Sequence, residues 1–363
     1  MKLRMTLAVS VAAFSLALTG CSSSDDGGSS ASESAAPAGK VGVILPDSAS
    51  SARWETADRP YLEEAFDNAG VEYDIQNANG DKAKFQTIAD QMLNSGVTTL
   101  MIVNLDSDTG AAVINKANAQ GVKVIDYDRL TLGGDAAYYV SFDNVAVGTK
   151  IGEGLVTCMQ DNGDTSGPVA LLNGSPTDNN ATLFKEGYET AITAAGYEVA
   201  ADQAVPEWDN TKAGTIFEQM YTKANGDFIG VAAANDGLGG AAISVLDRNG
   251  QAGKIPVTGQ DATDEGLQRV LLGTQCMTVY KAVKQEATAA ADLAVALSKG
   301  EEPDTGQTTL DPESNREVPS VLLEPVAIFK DNVKDVVADG FTTADKLCTT
   351  QKLKQACTEA GVS

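Results

Sequence analysis

No histidine occurs anywhere in the 363 residues. Its absence removes the commonest general base and any Ser-His-Asp triad. It also removes the commonest transition-metal ligand. The five cysteines include no pair at the spacing of about two to four residues found in zinc sites, which argues against a metal centre. Basic residues are scarce, 26 Lys and Arg against 50 Asp and Glu, for a net charge of −24. Such a surface repels nucleic acid and anionic lipid, and leaves charged or neutral polar ligands open. No apolar run is long enough to span a bilayer. Tryptophan occurs only twice, at Trp54 and Trp208.

The opening, MKLRMTLAVSVAAFSLALTGC, has Lys2 and Arg4, then an apolar run, then small residues. That pattern predicts a secretory signal peptide over residues 1–20. Its end, LTGC, resembles a bacterial lipobox, which implies cleavage before Cys21 and lipidation of the Cys21 thiol. Residues 21–39 hold no large apolar side chain and are rich in Ser, Gly, Ala and Asp, the composition of a flexible tether. The body from Lys40 onward is therefore expected on the outer face of the cell membrane, held there by lipid alone. Losing Lys2 and Arg4 takes its net charge from −24 to −26.

Four cysteines remain in the body, an even number in an oxidising compartment, which permits disulfides. Cys348 and Cys357 stand close together in the C-terminal tail and form the expected pair. Elimination leaves Cys158 for Cys276.

The body is too long for one ordinary domain and alternates strand and helix signals throughout. KVGVIL is a buried-type strand, followed by a helix over about 53–69 that Gly70 closes. VEYDIQNA, TTLMIVN, KVIDYD and AAYYVSFD continue the strands, with helices near 82–94 and 111–119. The pattern restarts after SFDN with a helix near 147–159, then strands GPVALLNG, YEVAADQ, DFIGVAAAN and KIPVTGQD separated by helices. This predicts an α/β fold with two parallel sheets flanked by helices.

In open parallel sheets ligands bind beyond the carboxyl ends of the strands. The residues standing there are Arg53, Trp54, Asp128, Arg129, Asn179, Trp208, Asn235, Asp261 and Lys281. Asp236 fits a helix cap better than a ligand contact, and for the same reason Asn180 is a weaker candidate than Asn179. The set holds carboxylates, carboxamides, cations and both tryptophans, with no nucleophile and base. It suits a polyol: ionised Asp accepts hydroxyl protons, Arg and Lys donate to hydroxyl oxygens, and indole rings pack on the C–H face of a pyranose. Asp128 and Arg129 could instead form a structural pair, since neighbours on a strand point to opposite faces.

The pieces ARW, QNANGD, VIDYDRL, YVSFDN, NGSPTDNNA, AAANDG, TGQDA, GTQCMTVYK and VPSVLLEPVAI, in this order, resemble the type I periplasmic sugar-binding proteins of ABC transporters. DNNA and GTQCMTVYK favour the D-xylose branch of that family. SSARW and YDRL are equally similar to its multiple-sugar branch, which takes glucose, galactose and arabinose. The resemblance implies two Rossmann-like lobes joined by three hinge crossings, near Asn144, Tyr280 and Ser320. The N-terminal lobe is expected over 40–144 plus 281–319, the C-terminal lobe over 145–280 plus 320–363. It further implies a monomeric receptor without cofactor or enzymatic activity, which closes on an aldose and delivers it to a membrane permease. The same nine strand-end residues would hold the sugar. The tail LCTTQKLKQACTEAGVS lies outside the resemblance and is expected to play no part in the site.

Three other classes compete. A glycoside hydrolase could pair Asp128 with Asp261, but a cation beside each keeps both ionised and leaves no acid. A ligand-regulated repressor needs a basic DNA-binding head, which is missing. A sensory lipoprotein would use the same site.

Overall fold

Five of the six residues of β1 (Lys40–Leu45) are buried, as a central parallel strand requires. The computed structural model containing it describes residues 39–362. The expected signal peptide, Cys21 and, apart from Gly39, the tether lie outside the described residues. A π-helical turn, Trp54–Asp58, runs directly into α1 (Arg59–Ala69), which Gly70 closes at φ 65°. β2 (Tyr73–Asn77), α2 (Lys82–Asn94), β3 (Val97–Ile102), α3 (Ser107–Asn118), β4 (Lys123–Tyr127) and β5 (Tyr138–Phe142) follow. Asp81 and Asp106 start α2 and α3 by accepting backbone N–H groups that the first helical turn leaves free.

The chain then crosses to a second sheet. Here lie α4 (Asn144–Asp161), β6 (Pro168–Asn173), α5 (Asn179–Ala194), β7 (Glu198–Ala204), α6 (Asn210–Lys223), β8 (Gly230–Ala233), α7 (Asp236–Arg248), α8 (Asp264–Leu272) and β9 (Thr278–Tyr280). It returns through α9 (Val283–Ser298), β10 (Thr308–Asp311) and β11 (Arg316–Leu323). It crosses again to β12 (Val326–Ile328), α10 (Val333–Ala338), α11 (Ala344–Leu347) and α12 (Gln351–Ala360).

The first sheet has the order β10-β11-β5-β4-β3-β1-β2, all parallel except β10 against β11. Alternation along β1 sends Val41, Val43 and Leu45 to a core with Leu62 and Phe66 of α1 and the alanines of α9. It sends Ile44 to the opposite core, with Phe85 and Ile88 of α2 and Ile114 of α3.

The second sheet has the order β7-β6-β8. The expected strand KIPVTGQD joins it only through a bridge from Val257 to Val231, while β9 pairs with β12 and bonds to the same segment through Cys276, Val279 and Asp261. α4 and α5 cross so closely that a Cβ at Gly148 would lie 2.1 Å from Phe184 O. The contact places the start of α5 beside the crossing after β5.

Two crossings between the sheets fall near Asn144 and Tyr280. The third lies later than Ser320, because β11 stays paired with β5 as far as Leu323 opposite Phe142. The chain changes sheets at Glu324 and Pro325, beside the first crossing, where Asp143 N donates to Leu323 O at 2.9 Å. Cys158 is bonded to Cys276 and Cys348 to Cys357, with Cα–Cα separations of 6.4 and 6.2 Å. The C-terminal tail packs Leu347, Leu353 and Ala356 on Leu267, Val270 and Leu271 of α8, with no residue in the cavity described below.

Candidate functional site

The carboxyl ends of both sheets face one cavity, and three of the side chains lining it come from backbone that few residues tolerate. Asp128 has φ 64°, Trp208 φ 55° and Asp261 φ 93°. Asp and Asn enter this left-handed region at modest cost, whereas for Trp it is an outlier. Strained backbone of this kind persists where the surroundings over-determine it, most often at functional sites.

At Asp128 the cause is visible. Its N–H donates to Val140 O at 2.7 Å, and its carbonyl accepts from Ser141 Oγ at 2.7 Å and Asn180 Nδ2 at 2.9 Å. The turn breaks the alternation of β4. Asp128 and Arg129 therefore both line the cavity instead of pointing apart.

Charge is concentrated here. Arg53 Nη1 lies 3.0 Å from Asp128 Oδ2, and Lys281 Nζ lies 3.2 Å from Asp261 Oδ1 and 3.8 Å from Asp128 Oδ2. Arg129 Nε lies 3.0 Å from Asp178 Oδ2. Behind the cavity wall, Arg53 is gripped by Asp58 at 2.7 Å and Glu286 at 2.6 Å. Burial pushes the Asp128 carboxyl up, but Lys281, Arg53 and Arg129 outweigh it and hold it below the usual carboxylate range. Burial also pushes Glu286 up, and there it prevails over Arg53, to about 8. The cavity thus keeps ionised acceptors beside fixed donors.

Aromatic rings supply the remaining walls. Trp54 and Trp208 are 3% and 5% exposed, and both line the cavity with Phe184. Trp54 Nε1 donates to Ser50 Oγ at 3.2 Å, and Arg53 Cζ stands 4.5 Å from the Trp54 ring centroid. Trp208 Nε1 donates to Asp178 Oδ2 at 3.0 Å. Its indole presses on Gly174, where a Cβ would come within 2.1 Å of the ring.

Direct bonds close the two halves on each other. Ser51 Oγ donates to Asp261 Oδ2 at 3.1 Å, Asn235 Nδ2 to Ser50 O at 3.3 Å, and Asn180 Nδ2 to Asp128 Oδ1 at 3.2 Å. The cavity left between them is about 30 Å³.

Of the nine residues expected at the site, Arg53, Trp54, Asp128, Arg129, Trp208, Asn235, Asp261 and Lys281 meet around this cavity. Asn179 does not. Asp178 caps α5, so Asn179 is its first residue and only half-buried, while Asn180, a further 100° around the helix, turns inward. Asp236 does not cap α7, a role that Asn235 takes; it stays beneath the site, its carboxylate taken up by Thr263, Gln275 and Thr278. Sequence reading missed Asp178, Phe184, Gln260 and the Ser50–Ser51 pair. Asp178 and Gln260 adjoin motif residues already singled out, so the signal was proximity, and only the turn geometry tells which neighbour faces in.

A model of the periplasmic binding protein domain matches residues 41–302. The chain belongs to the periplasmic binding protein family. Its relatives in that family include the D-xylose-binding periplasmic protein of Escherichia coli. The two are 35% identical over 313 residues, covering 85% of this chain and 92% of that one. The multiple sugar-binding periplasmic receptor ChvE of Rhizobium radiobacter is 31% identical over 335 residues, or 86% and 93% of the two chains. A carbohydrate transporter solute-binding protein from Chloroflexus aurantiacus, solved with D-glucose, superposes with a TM-score of 0.74 at 28% identity. That match covers 84% of this chain and 97% of the other. The fold is thus the type I periplasmic binding protein architecture that the strand-end motifs implied. As a family member this binding protein is an extracytoplasmic solute-binding component of ABC transport and not an enzyme.

Proposed function

We propose that this binding protein captures an aldose, D-xylose by preference, between its two sheets and hands it to an ABC transporter permease. The observation that carries this reading is the convergence of three carboxylates, three cations and two indoles on one buried cavity. Asp128 and Asp261 accept hydroxyl protons, and Arg53, Arg129 and Lys281 donate to hydroxyl oxygens. Trp54 and Trp208 pack on the ring faces, while Asn180 and Asn235 complete the polar rim. The lobes part at the three crossings to admit the sugar. Closure is favoured by ligand because only the closed form offers both sets of contacts. Identity to the D-xylose-binding relative supports the pentose, and the lipobox-like LTGC supports a lipid anchor at Cys21 that keeps a monomeric receptor near its permease.

Similarity to ChvE favours a second reading, in which the same cavity takes glucose, galactose and arabinose and the protein also serves a chemosensory receptor. Calorimetric titration with D-xylose, D-glucose, D-galactose, L-arabinose and D-ribose separates the two. Micromolar or tighter binding of xylose alone supports the first. Comparable binding of a hexose supports the second, and no binding of any of the five contradicts both.

A further inference from the structure

Gln260 has a side chain that the closed cavity leaves unspent. It lines the cavity, is 3% exposed, and its Oε1 has no hydrogen-bond partner among the described residues. A buried amide oxygen without a partner is destabilising, and native proteins keep few of them.

The other two carboxamides lining the cavity are fully engaged. Asn180 Oδ1 accepts from Asn144, and its Nδ2 donates to Asp128. Asn235 Oδ1 caps α7 through Leu238 N, and its Nδ2 donates to Ser50 O. Asp261, also unpaired by hydrogen-bond geometry at Oδ1, has Lys281 Nζ at 3.2 Å. Of the three carboxamides, Gln260 alone has an oxygen without a hydrogen bond among the described residues.

The backbone fixes where that side chain stands. Gln260 O accepts from Asp236 N at 3.0 Å. Gly259 before it is pressed so near Asp236 that a Cβ there would lie 2.2 Å from Oδ1. The two residues after it, Asp261 and Ala262, both have left-handed backbone, φ 93° and 50°. They are held by Asp261 N on Val279 O at 2.9 Å and Ala262 N on Thr278 Oγ1 at 3.3 Å. This strained, anchored turn delivers Gln260 and Asp261 together to the cavity, and backbone strain of this kind gathers at ligand clamps.

We propose that Gln260 is a specificity-determining residue: its side-chain carbonyl accepts a hydrogen bond from one ring hydroxyl of the bound sugar and rejects sugars that lack it. The inference rests on the sugar reading above. A site built to bond a hydroxyl rejects the analogue without it strongly, because its own buried group is then left unpaired. As a neutral acceptor, Gln260 adds discrimination without adding to the acid excess.

The test is calorimetric titration of the wild-type protein and of Gln260→Leu with D-xylose and its four ring monodeoxy derivatives, 1,5-anhydroxylitol included. For wild type, each missing hydroxyl read by the site weakens binding by roughly tenfold or more. In Gln260→Leu, one of those penalties is expected to shrink to about twofold while the others persist. Gln260→Met, which also lacks the acceptor oxygen, is expected to lose the same penalty and serves if the leucine variant does not fold. If the variants bind every sugar as wild type does, or lose affinity uniformly with the deoxy pattern intact, Gln260 does not read a hydroxyl. If wild type binds xylose and none of the penalties responds to position 260, only this inference falls. If wild type binds none of the sugars, the sugar reading falls first.

Discussion

Arg53 and Glu286 are locked together, with Nη2 and Oε2 2.6 Å apart and both side chains sealed from solvent. The pair joins the strand-end loop of β1 to the first turns of α9, the helix that follows the second crossing. Through it, the wall behind the cavity holds the guanidinium that meets Asp128 inside. Among the described residues here, Asp58, Asp128, Asp178, Asp261 and Glu286 face three cations, Arg53, Arg129 and Lys281. Acids outnumber bases, and burial pushes Glu286 up to about 8, which favours its protonated form at neutral pH.

A pH dependence follows with a definite sign. An acid whose folded pKa is raised stabilises the fold below its unfolded value, 4.5 for Glu286, and the contribution is lost as pH rises to about 8. Asp236, raised by burial to about 6, and Asp126, raised by burial to about 7, act in the same direction over narrower windows. Chemical unfolding is therefore expected to show stability falling from pH 5 to pH 8. The fall should be smaller in Glu286→Gln, with a ceiling of about 5 kcal/mol on the difference. Equal slopes for the two proteins would mean that Glu286 does not titrate in this range.

Asp128 is best tested with asparagine. At φ 64° an alanine adds a backbone cost of about 1 kcal/mol, which asparagine largely avoids. Asp128→Asn removes the charge that Arg53 and Lys281 face, and sugar affinity is expected to drop roughly tenfold to hundredfold. An unchanged dissociation constant in a variant with wild-type circular dichroism refutes its assignment to the site.

Asp178 links the two halves, since Oδ2 takes Arg129 Nε and Trp208 Nε1, each at 3.0 Å, while Oδ1 caps α5. Asp178→Asn should speed sugar release more than it slows capture, because losing one partner of a buried charge pair acts chiefly on dissociation. Stopped-flow tryptophan fluorescence reads both rates. A change confined to the association rate counts against the closed-state role.

The bond between Cys158 and Cys276 ties α4 to the segment entering β9 across 118 residues of sequence. Its removal by the double change to serine is expected to cost about 2–5 kcal/mol of stability and to leave sugar affinity within about twofold. Denaturant titration and calorimetry measure the two separately. Weakened binding would place the bridge in the closing motion.

Much of this was legible because parallel strands announce themselves. Runs such as KVGVIL and VALLNG are buried on both faces, and the polar residues just beyond them had to face the ligand crevice. Eight of nine strand-end residues accordingly meet at one cavity. What was not legible depends on single backbone angles. Asp128 and Arg129 share the cavity only because φ turns positive at Asp128, and alternation alone would separate them. The exchange of Asn179 for Asn180 is a one-residue matter of where Asp178 caps α5. The late third crossing reflects pairing of β11 with β5, a contact between distant positions such as Leu323 and Phe142 that no local pattern announces. Glu286 sits in the first turn of α9, and nothing in its neighbourhood marks it as a partner of Arg53.

The central claim is that one monosaccharide is held between the two sheets by this set of side chains. A crystal structure of the complex with D-xylose tests it most directly. The account predicts the ring between Trp54 and Trp208, with hydroxyls within hydrogen-bond distance of Asp128, Arg53 and Asp261. A sugar bound elsewhere, or held in the cavity without contact to Asp128, contradicts it.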